Sequence, residues 1–81
     1  MSKQNKATRT TKESQYLLKI GDRIRALRKK RGYSQEEFAD FAGFSRSYYT
    51  EIETGKRNIS MLNLVKIIRA LKAEPNEILG I

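Results

Sequence analysis

Residues 34–53 read Ser-Gln-Glu-Glu-Phe-Ala-Asp-Phe-Ala-Gly-Phe-Ser-Arg-Ser-Tyr-Tyr-Thr-Glu-Ile-Glu, and few folds accept that order. Ser34, with Glu37 three residues on, makes a capping box, in which side chains satisfy the free amides that open a helix. Phe38, Ala39 and Ala42 then recur at helical spacing and give that helix one apolar side. Gly43 ends it, because glycine takes positive φ without a Cβ penalty. Phe44 follows as a core plug, and Ser45 caps a second helix over residues 46–54. On that helix Tyr49 and Ile52 point one way. Arg46, Ser47, Thr50 and Glu51 point largely the other way, with Tyr48 near the boundary.

Two short helices that cross steeply need a small side chain where their backbones approach, and Ala39 supplies it. The pattern is that of a helix-turn-helix, whose second helix is the one that reads DNA. A plain helical hairpin inside a small bundle has the same caps and turn.

The length of 81 residues allows one domain, with roughly 60% of its unfolded surface buried. The chain has no cysteine and no histidine, which excludes disulfides and ordinary zinc sites, so no metal and no cofactor is expected. No apolar run approaches the ~20 residues of a membrane span. The polar N-terminus lacks a secretory apolar region, and a cytoplasmic location is expected. Lysine and arginine number 17 against 9 acidic residues, a net charge of +8 with a pI near 10.1. Such an excess points to a polyanionic partner. Simple solubility or a membrane surface would accommodate the charge, but a phosphate backbone accounts better for its placement.

Residues 1–15 carry Lys3, Lys6, Arg9 and Lys12 among Ser, Thr, Gln and Asn, too polar to repay the entropy of folding. They are expected as a disordered basic arm, lying along DNA or merely solvated. The folded domain then spans residues 16–81. Its first helix is expected over residues 16–31, ending at Gly32, with Leu17, Ile20, Ile24 and Leu27 as the core stripe. Gly21 marks close packing within it. Lys19, Arg23, Arg25, Arg28, Lys29, Lys30 and Arg31 make a dense cation cluster, part helix-dipole chemistry and part phosphate surface. Tyr33 is a core anchor. Beyond Gly55, Lys56, Arg57 and Asn58 form a loop suited to gripping backbone phosphates. Ser60 caps a fourth helix over residues 61–71, with Leu64, Ile67, Ile68 and Leu71 inward. Pro75 opens a short fifth helix. Ile78, Leu79 and Ile81 exceed what that helix can bury beneath itself, and a homodimer through them is expected. Five helices without a strand signal make an all-α domain.

These residues resemble the lambda-repressor/Cro type of helix-turn-helix protein, over about residues 17–79. The resemblance is carried by Arg28, by residues 32–39, by Gly43-Phe44-Ser45 and by residues 52–57. Ser60, Leu64, Ile67, Leu71 and residues 75–79 are similar to the family's closing helices. Arg46-Ser47-Tyr48 leading to Arg57-Asn58 looks like the controller proteins of bacterial restriction–modification systems, small regulators that bind DNA as dimers. The basic N-terminal arm and Thr54-Gly55 depart from those controllers, and Thr54-Gly55 is closer to the general family loop.

The resemblance implies roles. Gln35 would contact a phosphate, aided by the N-terminal amides of its helix. Arg46 and Ser47 would reach base edges in the major groove, with Tyr48, Thr50 and Glu51 beside them. Lys56, Arg57 and Asn58 would hold the backbone, Arg57 reaching nothing but backbone from its place past the helix end. Arg28 and Glu53 would pair. A guanidinium matches guanine O6 and N7, whereas Glu51 accepts from cytosine or repels phosphate. The expected function is therefore a transcriptional regulator that binds double-stranded DNA at a palindromic operator as a homodimer. An antitoxin or phage-type repressor shares the fold, and a protein-interaction module is the reading from another class. An enzyme is the weakest option, since no nucleophile–base pair is evident.

Overall fold

The computed structural model describes residues 9–81, which form five α-helices: α1 (Thr11–Lys30), α2 (Gln35–Ala42), α3 (Arg46–Glu53), α4 (Met61–Leu71) and α5 (Pro75–Leu79). Helix α1 is the spine, packed along α3 and α5, while α2 lies against α3 and α4. Ile20, Ile24 and Leu27 of α1 meet Phe38, Ala39, Tyr49, Ile52, Leu64, Ile67, Leu71 and Ile78 in one core. Leu17, expected in the same stripe, is only half-buried at its end. Among the described residues no helix is long and apolar enough to cross a membrane.

Helix α1 begins at Thr11, not at residue 16. Thr10 accepts from the Glu13 amide at 3.1 Å, and the Glu13 carboxylate accepts from the Thr10 amide at 2.9 Å. This capping box winds residues 11–15 into helix, where a disordered arm was expected. Residues 1–8, the rest of that expected arm with Lys3 and Lys6, lie outside the described residues.

The turn between α2 and α3 forms as the sequence demands. Gly43 adopts φ 88°, its amide donates to Asp40 O, and the Phe44 amide donates to Ala39 O at 2.8 Å. These are the two bonds of a Schellman cap, which tie off the last carbonyls of α2 and turn the chain. Ala39 is 1% exposed at this crossing. Close approach recurs between α1 and α3, where a Cβ built on Gly21 would stand 2.6 Å from Ile52 O.

Candidate nucleic-acid interface

The back of α3 is locked into the protein by a polar network. Arg28 donates through Nε to Glu53 Oε2 at 2.7 Å and through Nη2 to Oε1 at 3.3 Å. Its Nη1 donates to Tyr33 O at 2.7 Å. Gln35 Nε2 donates to Glu53 Oε1 at 3.0 Å, and the Tyr49 hydroxyl donates to Oε2. Glu53 thus joins α1, α2 and α3 at one carboxylate. Burial pushes its pKa up, but the hydrogen bonds from Arg28, Gln35 and Tyr49 outweigh that and hold it below the usual range. The Glu53 hydrogen bond raises Arg28 against the desolvation it suffers, and burial pushes the Tyr49 phenol far up. The ion pair implied by the resemblance is present. The share of Tyr49 in it went unread, because an aromatic at a core position looks sufficient as an apolar one.

The opposite face of α3 is open. Arg46 and Ser47 are exposed in its first turn, and Ser45 caps that turn by accepting from the Tyr48 amide at 3.2 Å. Tyr48, Thr50 and Glu51 are half-exposed. Tyr48 is braced from two sides: Phe44 packs against its ring at 5.4 Å, and Asn63 Nδ2 of α4 donates to its hydroxyl at 2.8 Å. Of the five residues expected to read bases, Arg46 and Ser47 are exposed and Tyr48, Thr50 and Glu51 partly so.

The loop after α3 differs from expectation. Arg57 folds back along the helix, donating through Nε to Glu51 Oε1 at 2.7 Å, with its guanidinium 5.1 Å from the Tyr48 ring centre. It lies alongside α3, not off its end. Lys56 and Asn58 are exposed, as a phosphate grip requires. Gln35, expected at a phosphate, turns one amide hydrogen inward to Glu53.

Part of the cation cluster of α1 is structural, while Lys19, Lys29 and Lys30 remain exposed. Arg28 is 6% exposed. Arg31 donates to Leu71 O at 2.9 Å and Arg23 to Ile78 O at 3.2 Å, so both cap the C-terminal ends of other helices. Arg25 pairs with Asp22 at 3.0 Å. Ile78, expected at a dimer interface, is 0% exposed and belongs to the core. Leu79 is half-buried, and Ile81 is 87% exposed. A larger apolar surface was missed: Met61, Leu62 and Val65 of α4 are 75%, 66% and 39% exposed. Their spacing, one residue and then three, could have revealed a second apolar side to α4.

A buried back, an exposed cationic first turn and a Schellman turn define a helix-turn-helix protein. The helix-turn-helix family model matches residues 24–78, and the chain belongs to that family. It is similar to the control protein C.MunI of a Mycoplasma species, 46% identical over 55 residues, covering 67% of this chain and 74% of that protein. It is also similar to the control protein C.BamHI of Bacillus amyloliquefaciens, 38% identical over 63 residues (76% and 78% covered). The crystal structure of the restriction-modification controller protein C.AhdI from Aeromonas hydrophila superposes with a TM-score of 0.72 at 45% identity, covering 76% of this chain and 94% of that one. The function class is that of a DNA-binding transcriptional regulator.

Proposed function

We propose that this regulator controls a restriction–modification system by binding a palindromic operator as a homodimer. The observation that carries the reading is the two-sidedness of α3: Glu53 is locked at 2% exposure behind it, while Arg46 and Ser47 stand free in its first turn. A reader helix inserts that first turn into the major groove. Arg46 takes guanine O6 and N7 through its fork of donors, and Ser47 bonds a neighbouring base edge. Tyr48 and Thr50 line the groove. Glu51 is neutralised by Arg57, which removes much of the cost of a carboxylate near phosphate and leaves its second oxygen to accept from cytosine. Lys56, Arg57 and Asn58 hold the backbone. Gln35 adds its second amide hydrogen to a phosphate, its rotamer fixed by Glu53.

The dimer forms through the second apolar side of α4. Met61, Leu62 and Val65 would meet their counterparts across a two-fold axis, with Leu79 and Ile81 contributing at the chain end. Such a regulator works in the cytoplasm of a bacterial or phage-infected cell. The test is selection of bound sequences from random duplex DNA at fixed salt. Two inverted half-sites about one helical turn apart are expected. Absence of any enriched sequence would overturn the reading.

A further inference from the structure

Arg9 lies outside residues 24–78, which the helix-turn-helix family matches, yet its side chain reaches the start of the α3–α4 loop. Its Nη1 donates to Gly55 O at 3.1 Å. That carbonyl belongs to the peptide joining Gly55 to Lys56, so the guanidinium sits one peptide unit from the first cation of the α3–α4 loop. Both sides of the contact are fixed. The Thr10–Glu13 capping box starts α1 immediately after Arg9. Gly55 presses so closely on α1 that a Cβ there would stand 2.9 Å from Leu18 Cα. Among the described residues the ion pairs are Asp22–Arg25, Arg28–Glu53 and Glu51–Arg57, and neither Arg9 nor Lys56 enters one. Two cations on neighbouring backbone without a counter-ion leave an anion that reaches both a favourable interaction with each.

The structure assigns to Arg9 a DNA phosphate, bound jointly with Lys56, with the Gly55 carbonyl holding the guanidinium in place through one nitrogen. The assignment rests on the reading that the α3–α4 loop faces the DNA backbone. Arg23 and Arg31 hold carbonyls in the same manner at the ends of α5 and α4, so the hydrogen bond alone does not mark a ligand site. What sets Arg9 apart is the place of the carbonyl it holds, at the opening of the α3–α4 loop.

The experiment titrates operator and random duplex across a salt series with wild type, Arg9→Lys, Arg9→Gln and Lys56→Ala, alongside thermal melts. Gln loses the charge but keeps an N–H donor, on a shorter side chain, whereas Lys keeps both charge and donor. One lost phosphate contact lowers the slope of log K against log salt by about 0.9, roughly a three- to fourfold change between about 50 and 200 mM. Arg9→Gln is expected to lose that slope on both duplexes, and Arg9→Lys to retain it. A wild-type slope in Arg9→Gln, with a lowered slope in Lys56→Ala, overturns the assignment and leaves the loop reading standing, whatever the melts show. Wild-type slopes in both overturn the loop reading, and the assignment with it.

Discussion

Arg28 and Glu53 meet through two hydrogen bonds, 2.7 and 3.3 Å, with both side chains under one-tenth exposed. The pair fixes the back of α3 to the spine of the domain, so the placement of α3 and the stability of the fold depend on the same carboxylate. Removing either partner strands a buried charge, at about 3–5 kcal/mol. Arg28→Ala and Glu53→Ala should each fall in that range in denaturant melts, and the double mutant should cost far less than their sum. Small, additive effects would show that the pair contributes little.

The same carboxylate sets a pH dependence. Glu53 has a folded pKa below its unfolded one, near 4.3 in free peptides. Its contribution is therefore complete above the unfolded value and is lost as pH falls through the folded one. Stability should drop steeply in acid, and Glu53→Gln, less stable at neutral pH, should show a shallower acid limb. Parallel limbs in the two proteins would place the acid sensitivity elsewhere.

Much of this was legible in the sequence, and the failures share causes. The α2 and α3 caps and the Gly43 turn could be read because apolar periodicity continues directly beyond each cap. Thr10 and Glu13 make the same capping box, but Lys12, Ser14 and Gln15 follow without an apolar stripe, so residues 11–15 read as an arm. Arg23 and Arg31 read as phosphate contacts because the carbonyls they cap lie 55 and 40 residues away along the chain. Ile78 read as surplus because its helix is short, yet α1 covers it. Local pattern carries elements and caps, while long-range pairing decides which cation turns inward.

Two glycines with similar backbone angles should respond differently to alanine. Gly43 has φ 88° with nothing within 4 Å of a built Cβ, so Gly43→Ala meets only the left-handed penalty of about 1–2 kcal/mol. Gly55 has φ 75° and also the Leu18 backbone at 2.9 Å. Overpacking adds about 1–3 kcal/mol, for roughly 2–5 kcal/mol in all. Chemical denaturation of the two variants measures the difference, and equal losses would mean α1 yields easily at Leu18.

The α4 surface and the core isoleucine are separable in the same way. Leu62→Glu puts a charge on an exposed apolar site and should leave the melting temperature of the monomer within a few degrees while abolishing dimer in sedimentation. Ile78→Ala empties a site at 0% exposure and should cost about 2–5 kcal/mol of stability. A Leu62→Glu protein that still dimerises would move the interface away from α4.

The proposed operator contact is made by Arg46, from the first turn of α3 to a base. The direct measurement titrates wild type and Arg46→Ala against the operator, an operator with the contacted guanine replaced, and a random duplex at one salt concentration. The mutation should cost about 1–3 kcal/mol on the operator and markedly less on the guanine-substituted and random DNA, where the two-bond contact is already absent. Equal weakening on all three would make Arg46 a phosphate contact and contradict the assignment of α3 as the reader.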